Sequence, residues 1–206
     1  MREYRQIVWL LLLGSIWGMA EIVFGRALNE ANVVYSSVWL NGWAFFVLAV
    51  ARGIMNKPGS STALGAIAAL FKLVNASPFF CHLLGIFLIG FAFDIAYTIL
   101  MKHKKRIYYW CSLVGVVGAY SGYAFFSLII TYILRYKYWT IGGLSKVLNH
   151  TFVIGSYAAF IALGAVPLGF WFGNKGRNLT QHHWQWAFRG ALVALIVIWT
   201  LGRIAK

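Results

Sequence analysis

The sequence predicts an all-α fold, a polytopic transmembrane bundle of six to seven helices making one integral membrane domain over residues 1–206. Three observations predict it. The chain is 61% hydrophobic and only 11% charged, whereas a soluble domain carries roughly 25% charged residues to stay solvated. Long apolar runs alternate with short polar or basic breaks. The charges are lopsided, with 18 Lys and Arg against four acids (Glu3, Glu21, Glu30 and Asp94) and a formal net charge of +14. That excess matches the gathering of Lys and Arg at helix ends and in cytoplasmic loops, where they meet anionic headgroups.

A helical span needs about 20 mostly apolar residues at about 1.5 Å rise each. Seven stretches qualify or nearly do: 7–25, 33–51, 61–76, 79–101, 107–134, 149–172 and 186–203. The first follows Arg2 and Arg5 but contains Glu21 and lacks a small-x-small cleavage site, so it reads as a retained helix, not a signal peptide. Lys57, Pro58 and Gly59 separate the second from the third. The third is short and carries Lys72, so it is tilted, partly re-entrant or shielded by neighbours, and its status sets the parity of the bundle. Ser77 and Pro78 precede the fourth, which ends at the basic run KHKKR, 102–106. After the fifth, the segment 135–148 with Gly142 and Gly143 is the longest candidate outer loop. The polar stretch 174–185 precedes the seventh and holds His182 and His183, a pair expected to be solvated. Cys81 and Cys111 should lie toward opposite ends of their helices, so no disulfide is expected.

Orientation follows from counting basic residues at alternate ends. With the N-terminus inside, the inner side holds Arg2, Arg5, Arg52, Lys57, Lys102, Lys104, Lys105, Arg106, Lys175, Arg177 and Arg189. The outer side holds Arg26, Arg135, Lys137 and Lys146 and, if the last helix spans, Arg203 and Lys206. Eleven against six favours a cytoplasmic N-terminus. Nucleic acid is not an expected partner, because the basic residues are spread over many helix ends without a recognition motif. HExxH, GxSxG, P-loop and CxxC patterns are absent, and four acids are too few for a carboxylate metal cage, so no enzymatic activity and no resident metal are expected.

An ionisable side chain deep in the bilayer costs at least about 2.5–3.5 kcal/mol on insertion scales, so each one within a span is a functional candidate. In this orientation Glu21, Lys72, His82 and His150 fall on four different spans, all in the outer half. Glu21 and Lys72 have opposite charge, and either a plain ion pair or a polar pocket open to the outside accounts for them. Asp94 lies in the inner half, where it is expected to bond the adjacent basic run. On the first helix Gly14, Trp17, Gly18, Glu21 and Gly25 recur at spacings of three and four, placing glycines below a tryptophan and a carboxylate on one side. Gly14 and Gly18 form a GxxxG packing motif. Gly65, Ala68, Ala69 and Lys72 share a face of the third helix, and Gly115, Gly118 and Gly122 one of the fifth.

The segments GSIWGMAE, 14–21, and GAIAALFK, 65–72, within a small basic bundle, resemble the substrate-binding S components of energy-coupling factor transporters. The resemblance is architectural, with Gly where that family commonly has Ala and a seventh helix where six are usual. It implies a prokaryotic plasma-membrane subunit that binds a vitamin-like small molecule near the outer face. Its partners would be a transmembrane coupling subunit and cytoplasmic ATPases. Gly14 and Gly18 would then be the docking face, and Trp17, Glu21, Lys72, His82 and His150 the substrate-binding residues. Two other readings stand beside it. His82 and His150 on separate helices suit the axial ligands of a haem b, and the glycine faces alone suit a structural subunit of a larger membrane complex.

Overall fold

The computed structural model describes residues 2–76, 78–101, 108–182 and 184–204. The basic run 102–106, His183 and Lys206 lie outside the described residues. Nine α-helices and two π-helical turns make up the described chain, and no strand occurs in it. They are α1 (Arg2–Glu30), α2 (Ser36–Met55), α3 (Ser60–Asn75), α4 (Phe80–Met101), α5 (Tyr108–Leu128), α6 (Lys137–Thr140), α7 (Gly143–Leu148), α8 (Gly155–His182) and α9 (Trp184–Ile204). A π-helical turn, Ile129–Ile133, extends α5, and a second, Asn149–Ile154, joins α7 to α8. The segment expected as an outer loop is therefore two short helices, and the first helix continues five residues past its expected end.

The breaks have local causes. α2 stops at Asn56, in the left-handed region at φ 46°, whose N–H returns to the carbonyl of Arg52, a cap that satisfies one of the orphan carbonyls of the last turn. Gly59, at φ 84°, then turns the chain into α3, a conformation that glycine adopts without steric cost. Pro167 lies inside α8, where it removes the hydrogen bond normally given to the carbonyl four residues earlier. Ser112 of α5 donates its hydroxyl to that carbonyl, on Leu163, at 3.0 Å, so a neighbouring helix supplies what the proline withholds.

Five helices are long and apolar enough to cross a membrane by length and composition: Gln6–Glu30, Ser36–Met55, Phe80–Met101, Tyr109–Ile133 and Gly143–Arg177. The chain is accordingly an integral membrane protein. α3, with 16 residues, is a shorter apolar helix. Large apolar side chains such as Ile99, Phe160, Val193 and Ile204 stand exposed on the outside of the bundle, where lipid would solvate them.

Six helices close into a ring in the order α1, α3, α4, α5, α8, α2, each packed on the next and α2 back on α1. The core inside it is built from Phe45, Leu48, Phe93, Val114, Ala162, Val166 and Phe170. Small residues set the spacing. A Cβ added at Gly90 would lie 2.7 Å from the carbonyl of Ser61 and 3.0 Å from the Cα of Gly65, so α3 and α4 touch backbone to backbone. α9 lies outside the ring, against α1. Trp199 donates to Ser15 Oγ at 3.0 Å and meets Phe71 edge-on at 4.9 Å between ring centres.

Where α2 and α4 finish, Asp94 has a partner that the sequence did not suggest: Arg52 of α2 forms a buried ion pair with it, while the bond expected to the basic run falls outside the described residues. Arg52, expected as a headgroup cation, is 1% exposed. It also donates to Ser61 Oγ at 3.2 Å and to Thr98 Oγ1 at 3.1 Å, and stacks over Tyr97 at 4.4 Å. Thr62 donates to the second carboxylate oxygen of Asp94 at 3.0 Å. The cluster thus ties α2, α3 and α4 together through satisfied charges, which is the only inexpensive way to bury them.

Candidate functional site

The opposite end of the ring, where α1 and α3 finish and α2 and α4 begin, holds a half-open cavity of about 1040 Å³. Glu21, Lys72, His82 and His150 all line it, from α1, α3, α4 and the π-helical turn before α8. The sequence placed these four at one depth, and the fold brings them around one space. The roof comes from the segment carrying α6, through Tyr136, Tyr138 and Trp139.

Packing on α1 explains how the first pair meets. A Cβ on Gly14 would fall 2.6 Å from Ile67, and one on Gly18 would fall 2.7 Å from Phe71 and 2.9 Å from the Ala68 carbonyl. The absence of side chains at both positions lets α3 lie close against α1. One turn above Gly18, the Lys72 ammonium reaches Glu21 Oε2 at 3.0 Å, with both side chains about nine-tenths buried. The glycine face expected to dock a partner is therefore already covered by α3, and it is not free to receive another chain.

Trp17 also takes a different place from the one expected. It is fully buried, and its Nε1 donates to Glu21 Oε1 at 3.3 Å from one turn below. It does not line the cavity. Its effect is to hold the carboxylate from behind, so that one oxygen faces Trp17 and the other faces Lys72.

The two histidines sit differently. His82 is exposed, with Phe79 edge-on at 6.0 Å. The ring of His150 is surrounded by Tyr123 and Trp139 at 4.9 Å and Phe126 at 5.5 Å. Trp139 thereby links the roof to the wall.

Sequence reasoning missed the wall facing Glu21 and Lys72. There Asn41 of α2 donates to the Tyr123 hydroxyl of α5 at 2.7 Å, and both residues line the cavity with Ser37 and Asn75. Asn41 stands in an otherwise apolar helix as the only amide between Ser37 and Arg52, and that was the available signal. Among the described residues, no group of three or more His, Cys, Asp or Glu is placed to hold a metal ion.

No protein-family model matches this chain, and no curated protein or solved structure matches it either.

Proposed function

We propose that this chain is a six- or seven-span membrane subunit that captures a small solute, without chemistry, in the cavity beneath the segment carrying α6. The reading resembles the role of the S component of an energy-coupling factor transporter, with the cavity facing outward and the N-terminus in the cytoplasm. One observation carries it: a carboxylate, an amine and two imidazoles from four elements converge on one roofed space lined also by aromatic rings. Ligand sites of this kind are concave, largely apolar and supplied with a few convergent polar groups. A plain interhelical ion pair would need no such space beside it.

Glu21 and Lys72 would fix a polar edge of the solute, while Tyr123, Trp139 and Phe126 offer faces for stacking. The coupling subunit, if there is one, would have to dock elsewhere than on Gly14 and Gly18. Uptake and binding of a vitamin panel by Glu21→Gln test the reading. A loss of about tenfold or more in affinity is expected for the removal of a buried charged acceptor, and unchanged binding across the panel would remove it.

Haem coordination by His82 and His150 is the second reading, favoured by their sharing the cavity. Protein purified in mild detergent is expected to show no Soret absorbance, and a red sample would replace transport with electron transfer.

A further inference from the structure

The charged groups inside the cavity cancel one another. Glu21 and Lys72 form one pair, and the other ionised lining residue, Arg26, is an exposed rim group paired with Glu30 at 3.0 Å. A solute with net charge would therefore enter a half-open cavity whose lining offers no unbalanced countercharge, and it would compete with the buried pair for its partners.

The pair nevertheless has valences left over. An ammonium has three N–H donors, and the hydrogen bond found for Lys72 is the one to Glu21 Oε2. The carboxylate can accept about four hydrogen bonds, and the ones found for it come from Trp17 and Lys72. A donor and an acceptor thus lie 3.0 Å apart at the cavity wall. Across the space, Asn41 and Tyr123 form a neutral polar shelf beside the rings of Phe126 and Trp139.

We infer that the solute is an uncharged, flat heterocycle presenting adjacent N–H and C=O groups, a cyclic cis-amide edge, to the Glu21–Lys72 pair. Such an edge gives its proton to the carboxylate and accepts one from the ammonium, so it docks without separating the two charges. The ring behind it lies against Trp139 and Tyr123. A zwitterionic amino acid would also offer a donor and an acceptor, but its full charges would compete with the pair and pull it apart. The inference rests on the proposed solute-binding role of this cavity.

The test uses the full chain in lipid nanodiscs and four probes measured by calorimetry: lumazine, 1,3-dimethyllumazine, L-tryptophan and 1-naphthoate. Lumazine carries the free edge, and the dimethyl compound keeps the ring but loses both N–H donors. Lumazine is expected to bind most tightly of the four, with methylation costing roughly tenfold to a hundredfold, as for one or two lost buried hydrogen bonds. Tighter binding of L-tryptophan or 1-naphthoate would overturn the amide edge while leaving the cavity a solute site. Binding of none of the four would overturn the inference together with the function it rests on. Because Lys72→Met alone would strand a buried carboxylate, the double variant Glu21→Gln/Lys72→Met is the informative one. It is expected to bind lumazine no better than its dimethyl derivative, with an unchanged unfolding midpoint. Retention of the preference for the free edge in that variant would also overturn the inference.

Discussion

Two buried ion pairs among the described residues differ in what surrounds them. Asp94 is held by Arg52 and Thr62, and Arg52 in turn by Ser61 and Thr98, at a point where three helices meet, whereas Glu21 and Lys72 border open space. The first is read as structural for that reason. Replacing Asp94 by Asn removes the negative charge of this buried pair, and breaking a buried pair costs about 3–5 kcal/mol. Thermal unfolding in detergent is expected to fall steeply for Asp94→Asn. The double variant Arg52→Met/Asp94→Leu should recover most of the loss, since apolar replacements of a buried pair are often neutral. A double variant as unstable as the single one would show that the hydroxyl partners, not the charges, carry the cluster.

At the scale of elements, close approach between helices governs the architecture, and lipid supplies no hydrophobic drive for it. α3 is held between α1 and α4 by Gly14 and Gly18 on one side and by Gly65 against Gly90 on the other. Gly90→Leu would push side-chain atoms into the Ser61 carbonyl and the Gly65 backbone, neither of which can yield without moving a helix. Overpacking of this kind costs at least about 1–3 kcal/mol. Gly164 of α8 has nothing within 4 Å of an added Cβ, so Gly164→Leu is expected to leave the unfolding midpoint in place. Equal effects of the two substitutions would contradict the packing described. Ser112→Ala probes a second element-scale feature, the carbonyl of Leu163 freed by Pro167. Leaving it unpaired is expected to destabilise by about 1–3 kcal/mol, and a restored midpoint in Ser112→Ala/Pro167→Ala would confirm the cause.

For the whole molecule, the ring order α1, α3, α4, α5, α8, α2 puts both ends of the bundle to separate use. One end is closed by the Arg52 cluster, and the other opens beneath α6. The proposed orientation places Lys57 on the cytoplasmic side and Lys137 outside, both on exposed stretches. Single cysteines at these positions, in a chain lacking Cys81 and Cys111, are expected to react with an impermeant maleimide from opposite sides. Labelling of both from one side would overturn the topology and with it the outward-facing cavity.

The sequence by itself determined that the chain is helical and lives in lipid, because apolar run length and charge scarcity act on each segment independently of its neighbours. It also singled out Glu21, Lys72, His82 and His150, since ionisable side chains within apolar spans stand out, and all four line the cavity. Tertiary structure alone decided which faces meet. Gly14 and Gly18 read as a packing motif that the family resemblance would make a docking face, and the packing of α3 against them makes them an internal contact. Arg52, at a helix end, read as a headgroup cation until α4 brought Asp94 to it across 42 residues, and Asn41 drew no notice until Tyr123 lay beside it. The physical reason is common to all three: periodicity fixes the angle of a side chain on its own helix, while its partner depends on the order in which helices pack, and that order is set by the fit of many small surfaces at once.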